Sequence, residues 1–143
     1  MKTNIVIRFA AAAVLCVGTA AAFAQVAVVV NPKSPLAAMT ADQVSGIFLG
    51  KSNTLPSGGT ALPTDLPDSS PTHELFYTKV TGKSSAQVKA AWSRLVFSGK
   101  ATPPKELGSS ADVKKFVASN PDAIGYIEKS AVDSSVKVVF SAD

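Results

Sequence analysis

Asp68, Ser69, Ser70 and Thr72 gather one carboxylate and three hydroxyls into five residues, just ahead of an apolar stripe that begins at Leu75, Phe76 and Val80. Ser70 suits a helix N-cap, and Pro71 suits the first helical position, where a missing N–H costs nothing. A helix that starts this way presents unpaired backbone donors and the positive end of its dipole. The stretch is therefore a candidate site for a phosphate, sulfate or carboxylate. The same residues also make an ordinary capped helix start, and their types alone leave both readings open.

Other chemistry is poorly served. His73 is the single histidine, and it falls close in sequence to Ser69, Ser70 and Thr72, so residue types alone leave a serine nucleophile open. The Gly-x-Ser-x-Gly elbow of serine hydrolases is absent. One histidine and one cysteine, Cys16, make no transition-metal cluster, and the acidic residues lack the spacing of a calcium loop. Ser57-Gly58-Gly59 and Gly108-Ser109-Ser110 are too short to cradle a nucleotide, so no cofactor is implied. No acid, base and oxyanion site come together, and a non-enzymatic protein is expected.

The first 24 residues read as a signal peptide. Lys2 and Arg8 form a positive start, Phe9 to Ala22 is apolar, and Ala22-Phe23-Ala24 supplies the small-x-small cleavage pattern. The apolar run falls short of the ~20 residues that span a bilayer, and Cys16 follows Val14-Leu15, not the small residue of a lipoprotein site. These features imply a periplasmic or secreted protein without a stable membrane anchor. Residues 25–143 then form one domain that has no cysteine and depends on its apolar core. Loss of Lys2 and Arg8 takes the 14 basic residues to 12 against 10 acidic ones, a net charge of +2. That charge, without a basic run interleaved with aromatics, argues against nucleic acid.

The elements that must position the site follow from periodicity. Val26 to Val30 is wholly apolar and β-branched, a strand buried on both faces of the kind found in parallel sheets. Thr40-Ala41-Asp42-Gln43 is a capping box opening a helix that carries Val44, Ile47 and Phe48 and stops at Gly50. Ala61 to Leu66, weakened by Pro63, predicts a strand that delivers the chain to Asp68 and to a helix closed by Gly82. Ligands of α/β proteins sit at such strand ends. Ser84 to Gln87 repeats the capping box, ahead of Val88, Ala91, Trp92 and Leu95 on one helical face, with Trp92 in the core and Arg94 toward solvent. Thr102-Pro103-Pro104 predicts a turn or short extended linker, and Ser110 starts a helix bearing Val113, Phe116 and Val117. Ala123 to Ile127 predicts a buried strand in which Gly125 admits a close neighbour, and Val136 to Phe140 predicts the last strand. The order β-α-β-α-α-α-β-β makes a three-layer α/β sheet-and-helix domain.

Three segments in this order resemble the phosphate-binding proteins of phosphate ABC transporters, which are type II periplasmic binding proteins. They are Ile47-Phe48-Leu49-Gly50-Lys51, the Asp68 to Phe76 turn, and Pro121-Asp122-Ala123-Ile124-Gly125-Tyr126-Ile127-Glu128. The resemblance covers most of residues 25–143 but only one of the family's two lobes. The family's phosphate turn reads Arg-x-Asp-Gly-Ser-Gly-Thr before a helix with an aromatic residue. By that resemblance Asp68, Ser70, Thr72 and Phe76 keep their counterparts, Leu66 replaces the arginine, and Ser69 and Pro71 replace the glycines. A retained aspartate accepts a hydrogen bond from the hydroxyl of hydrogen phosphate, whereas fully ionised sulfate offers no such donor. Leu66 and Pro71 remove a bidentate cation and a backbone donor. One lost charge-assisted contact, about 1.5–3 kcal/mol, lowers affinity roughly tenfold to a hundredfold.

Two functions are therefore expected. The first is an exported solute-binding module that takes phosphate or a similar small oxyanion weakly at Asp68, Ser69, Ser70 and Thr72, with Ser34 from the loop after the first strand. The second is an envelope interaction module, a scaffold that docks on a transport or other partner protein, or dimerises, through the open side where a second lobe would pack, and no longer binds a small ligand.

Overall fold

Val26–Val30 forms β1, and all five residues are fully buried in the computed structural model of the chain, which describes residues 25–142. The expected signal peptide, residues 1–24, lies outside the described residues. Such complete burial needs a neighbour on each side and a layer on each face. The neighbours are β4 (Ala123–Glu128) and β5 (Lys137–Ala142), and both pair with β1 antiparallel. The parallel pairing expected of β1 is thus corrected. An all-apolar strand reports burial on two faces, not its direction.

The other half of the sheet is parallel. β2 (Leu62–Asp65) pairs with β4, placing Leu62 beside Ala123, and the two-residue strand β3 (Lys105–Glu106) adds the outer edge beside β2. Among the described residues the sheet has five strands in the order β3-β2-β4-β1-β5. β3 lies just past Thr102-Pro103-Pro104, which runs as an extended linker without a regular turn; two exposed charged residues carry no strand periodicity.

Helices complete three layers. α1 (Ala41–Phe48) and α3 (Ser85–Phe97) each open with the expected capping box, at Thr40 with Gln43 and at Ser84 with Gln87. α2 (Pro71–Phe76) continues into a π-helical turn, Tyr77–Thr81, that stops at Gly82. α4 (Ser110–Ser119) ends where the Asn31 side chain donates to the carbonyls of Val117 and Ala118, both at 3.0 Å. Among the described residues no helix is long and apolar enough to cross a membrane.

β4 separates the two helical layers. Gly125 faces α4 so closely that an added Cβ would lie 2.6 Å from Val113 Cγ1 and 2.5 Å from Thr64 Oγ1 on β2. On the opposite face Tyr126 stacks on Phe76, with ring centroids 4.0 Å apart, and meets Phe48 of α1 edge-on. The cluster Phe48, Phe76, Tyr77 and Tyr126 is fully or almost fully buried and fixes α1 and α2 to the sheet. Trp92 of α3 is buried, and its indole N–H donates to the Phe48 carbonyl at 2.9 Å, tying α3 to the end of α1.

Candidate oxyanion site

The turn from Asp68 to Thr72 leaves the carboxyl end of β2 and leads straight into α2. Ser70 occupies the N-cap with extended backbone, and Pro71 is the first helical residue. The Ser70 hydroxyl makes no capping bond; its amide donates to Pro67 O at 2.8 Å and its carbonyl accepts from His73 N at 3.1 Å. Pro71 contributes no N–H, and the amides of His73 and Glu74 both donate to the Ser70 carbonyl, at 3.1 and 3.4 Å, so Thr72 carries the first-turn N–H that this carbonyl does not take up. Asp68 and Ser69 are exposed, and the Asp68 carboxylate has Lys89 Nζ 4.0 Å away.

Thr72 is different. It is buried, and its hydroxyl donates to the Glu128 carboxylate at 3.1 Å. Leu66, which stands where the resemblance places an arginine, is only 4% exposed and belongs to the core. The turn therefore carries two nearby carboxylates, Asp68 and Glu128, and no guanidinium of its own.

Ser34 is not brought to this turn. β1 runs antiparallel to β4, so its carboxyl end at Val30 pairs with Ile124. β2 runs parallel to β4, so its carboxyl end points toward Glu128, the residue that holds Thr72. Ser34 and Ser70 consequently follow opposite ends of the sheet. Ser34 is buried there, its hydroxyl accepting from Leu36 N at 3.3 Å and its carbonyl from Lys137 Nζ at 3.1 Å.

Beneath the turn lies a polar cluster that the sequence did not announce. Asp65, the last residue of β2, accepts from Tyr77 Oη at 2.9 Å, from Tyr126 Oη, and from Leu66 N at 2.9 Å. His73 Nε2 lies 3.6 Å from the same carboxylate. Burial pushes Asp65 above the ordinary carboxylate range, against the opposing pull of the Tyr126 hydroxyl, of His73 and of Tyr77. Both phenols are pushed far above theirs, first by burial and then by the adjacent Asp65 charge. They remain donors throughout the ordinary pH range. On its other side His73 Nδ1 meets Ser85 Oγ at 2.9 Å, while the Ser85 hydroxyl also reaches Glu74. Hydrogen bonds from the Ser85 side chain and backbone hold Glu74 below the usual range. With the Ser85 proton given to Glu74, His73 Nδ1–H donates to Ser85 and cannot serve it as a base. The cluster links β2, α2, β4 and the start of α3. Its chain separations, 61 residues from Asp65 to Tyr126, are why spacing could not reveal it.

No protein-family model matches the sequence, and no curated protein matches it. Solved structures match its fold. One, described as a phosphate ABC transporter substrate-binding protein with bound phosphate from Clostridium perfringens, is 24% identical with a TM-score of 0.66; the match covers 81% of this chain and 44% of that one. An ABC-type phosphate transport receptor from Vibrio cholerae is 22% identical with a TM-score of 0.65, over 81% and 46% of the two chains. PstS from Borrelia burgdorferi is 12% identical with a TM-score of 0.62, over the same shares. The chain thus has a periplasmic-binding-protein-like α/β fold, spanning less than half of these neighbours' length, and a single lobe fits that share.

Proposed function

We propose that the chain is an exported, non-enzymatic solute-binding module of the phosphate ABC transporter substrate-binding type, which holds phosphate or a similar small oxyanion weakly at the turn from Asp68 to Thr72. The observation that carries this reading is Ser70, a serine at the head of a helix whose hydroxyl does not cap that helix. The fold neighbours add support, since one of them is described with phosphate bound. In this reading the ligand accepts from the Ser69 and Ser70 hydroxyls and from the backbone N–H of Thr72. Asp68 accepts a hydrogen bond from the P–OH group that hydrogen phosphate carries and sulfate lacks. Ser34, on the far end of the sheet, takes no part.

Weak binding follows from the surroundings. Leu66 supplies no cation, Pro71 no N–H, and Glu128 places a second negative charge against Thr72. That carboxylate is also the observation favouring the second reading, an envelope interaction module docked on a transport or other partner protein without a small ligand.

Titration of inorganic phosphate into the chain from residue 25 onward, followed by calorimetry and amide chemical shifts, tests both. Micromolar or weaker binding with shifts at Ser69, Ser70 and Thr72, reduced several-fold by Ser70→Ala and absent with sulfate, is expected. No response at the turn would favour the interaction module. A sub-micromolar dissociation constant would mean that the lost cation and N–H have been replaced.

A further inference from the structure

We propose that the groove where α1 and α3 end, beside the β2–β3 edge, is a second binding site, shaped for a small amphipathic anion: a carboxylate on an aliphatic or aromatic body. It is independent of the oxyanion turn. The groove is walled by Leu62 and Pro63 at the beginning of β2, whereas the turn follows the end of that strand.

The groove exists because two helices stop together. α1 gives way to Gly50 at φ 75°, and α3 to Gly99 at φ 69°, left-handed conformations that glycine adopts freely. At Gly50 a side chain would also strike Leu95 and Trp92, with an added Cβ 2.7 and 2.9 Å from their nearest atoms. The segments leaving the two helices, through Lys51 to Asn53 and Lys100 to Pro103, form walls around a volume of about 890 Å³. Small-molecule sites occupy roughly 300–1,000 Å³ and are mostly apolar with a few convergent polar groups. Ile47, Leu62, Trp92 and Phe116 supply the apolar surface here, and Leu62 remains 44% exposed.

The charge selects the occupant. Lys51, Lys100 and Lys105 line the groove, and no aspartate or glutamate does. Lys105 Nζ is held 4.9 Å from the centre of the Phe116 ring, so a cation stands directly over the apolar wall. A neutral apolar guest would leave three ammonium groups unused, and a small inorganic anion would leave the aromatic wall unused. A second copy of the chain would bring like lysines face to face. An anion with an apolar body answers both features.

Decanoate is the probe, with decanol and decyltrimethylammonium as controls that share its tail. Decanoate should bind saturably and at least about tenfold more tightly than decanol. Amide shifts should centre on Gly50, Lys51, Gly99 and Lys100, and the fluorescence of Trp92, the single tryptophan, should change. The variant carrying Lys51→Gln, Lys100→Gln and Lys105→Gln should bind decanoate no better than decanol while keeping the parent's melting temperature. Equal affinity for decanoate and decanol, preference for the cationic control, non-saturating shifts, or undiminished decanoate binding by the triple variant would each overturn the assignment.

Discussion

Tyr77 donates its phenolic hydroxyl to the Asp65 carboxylate across 2.9 Å, which joins the π-helical turn after α2 to the end of β2. Tyr126 donates to the same carboxylate from β4. These are the only two tyrosines in the chain, so one cluster governs all of its phenol chemistry.

The phenolate titration of the protein should therefore be silent until it unfolds. Both phenols have folded-state pKa values raised above the unfolded value of about 10. Groups raised in this way contribute stability that is fully present below the unfolded pKa and lost as pH rises beyond it. Absorbance at the phenolate band should stay flat through pH 10 and then rise in one step with loss of the circular dichroism signal. A gradual rise centred near pH 10 in the folded protein would show that the hydroxyls are solvated and the cluster loose.

Asp65 should give the opposite test at acid pH. Its folded pKa is raised by burial, so the native state holds a proton that the unfolded chain releases. Stability then falls as pH rises from the unfolded carboxylate value through the folded one, and acidification from neutrality recovers it. The unfolding free energy of the parent relative to Asp65→Asn, measured in urea, should be larger near the ordinary carboxylate value, at pH 4, than at pH 7.5. A difference that is flat or reversed over that range would mean that the tyrosines and His73 outweigh burial in setting the charge.

What the sequence disclosed was local. Thr40 with Gln43, and Ser84 with Gln87, are pairs three residues apart, and their capping boxes form as read. Gly125 signals a close approach because a glycine in an apolar strand has few other reasons to be there, and Thr64 and Val113 are its neighbours. What remained hidden depended on direction or on distance along the chain. Val26–Val30 says nothing of its own polarity, and its antiparallel pairing is what carries Ser34 away from Ser70. The meeting of Asp65 with Tyr77 and Tyr126 requires β2, α2 and β4 to be assembled first.

Gly125→Ala should be among the most costly single-methyl additions in the domain. The new Cβ would meet Thr64 Oγ1 at 2.5 Å and Val113 Cγ1 at 2.6 Å, one on the neighbouring strand and one on α4. Neither is the far end of a flexible chain, so strand or helix must move, at about 1–3 kcal/mol or more. Urea denaturation should show that loss, and pairing the change with Val113→Ala should recover part of it. A Gly125→Ala variant as stable as the parent would place α4 farther from the sheet than the structure does.

Ser70 and Ser84 stand at equivalent positions of two helices and should respond differently to the same change. Ser84 accepts from Gln87 N and completes a capping box, so Ser84→Ala should cost about 1 kcal/mol in urea denaturation. Ser70 makes no capping bond, so Ser70→Ala should stay within about 0.5 kcal/mol of the parent. The contrast separates a serine that holds a helix from one left available to something outside the chain. Equal losses at the two positions would mean that the Ser70 hydroxyl caps α2 in solution, and the oxyanion reading would lose the observation on which it rests.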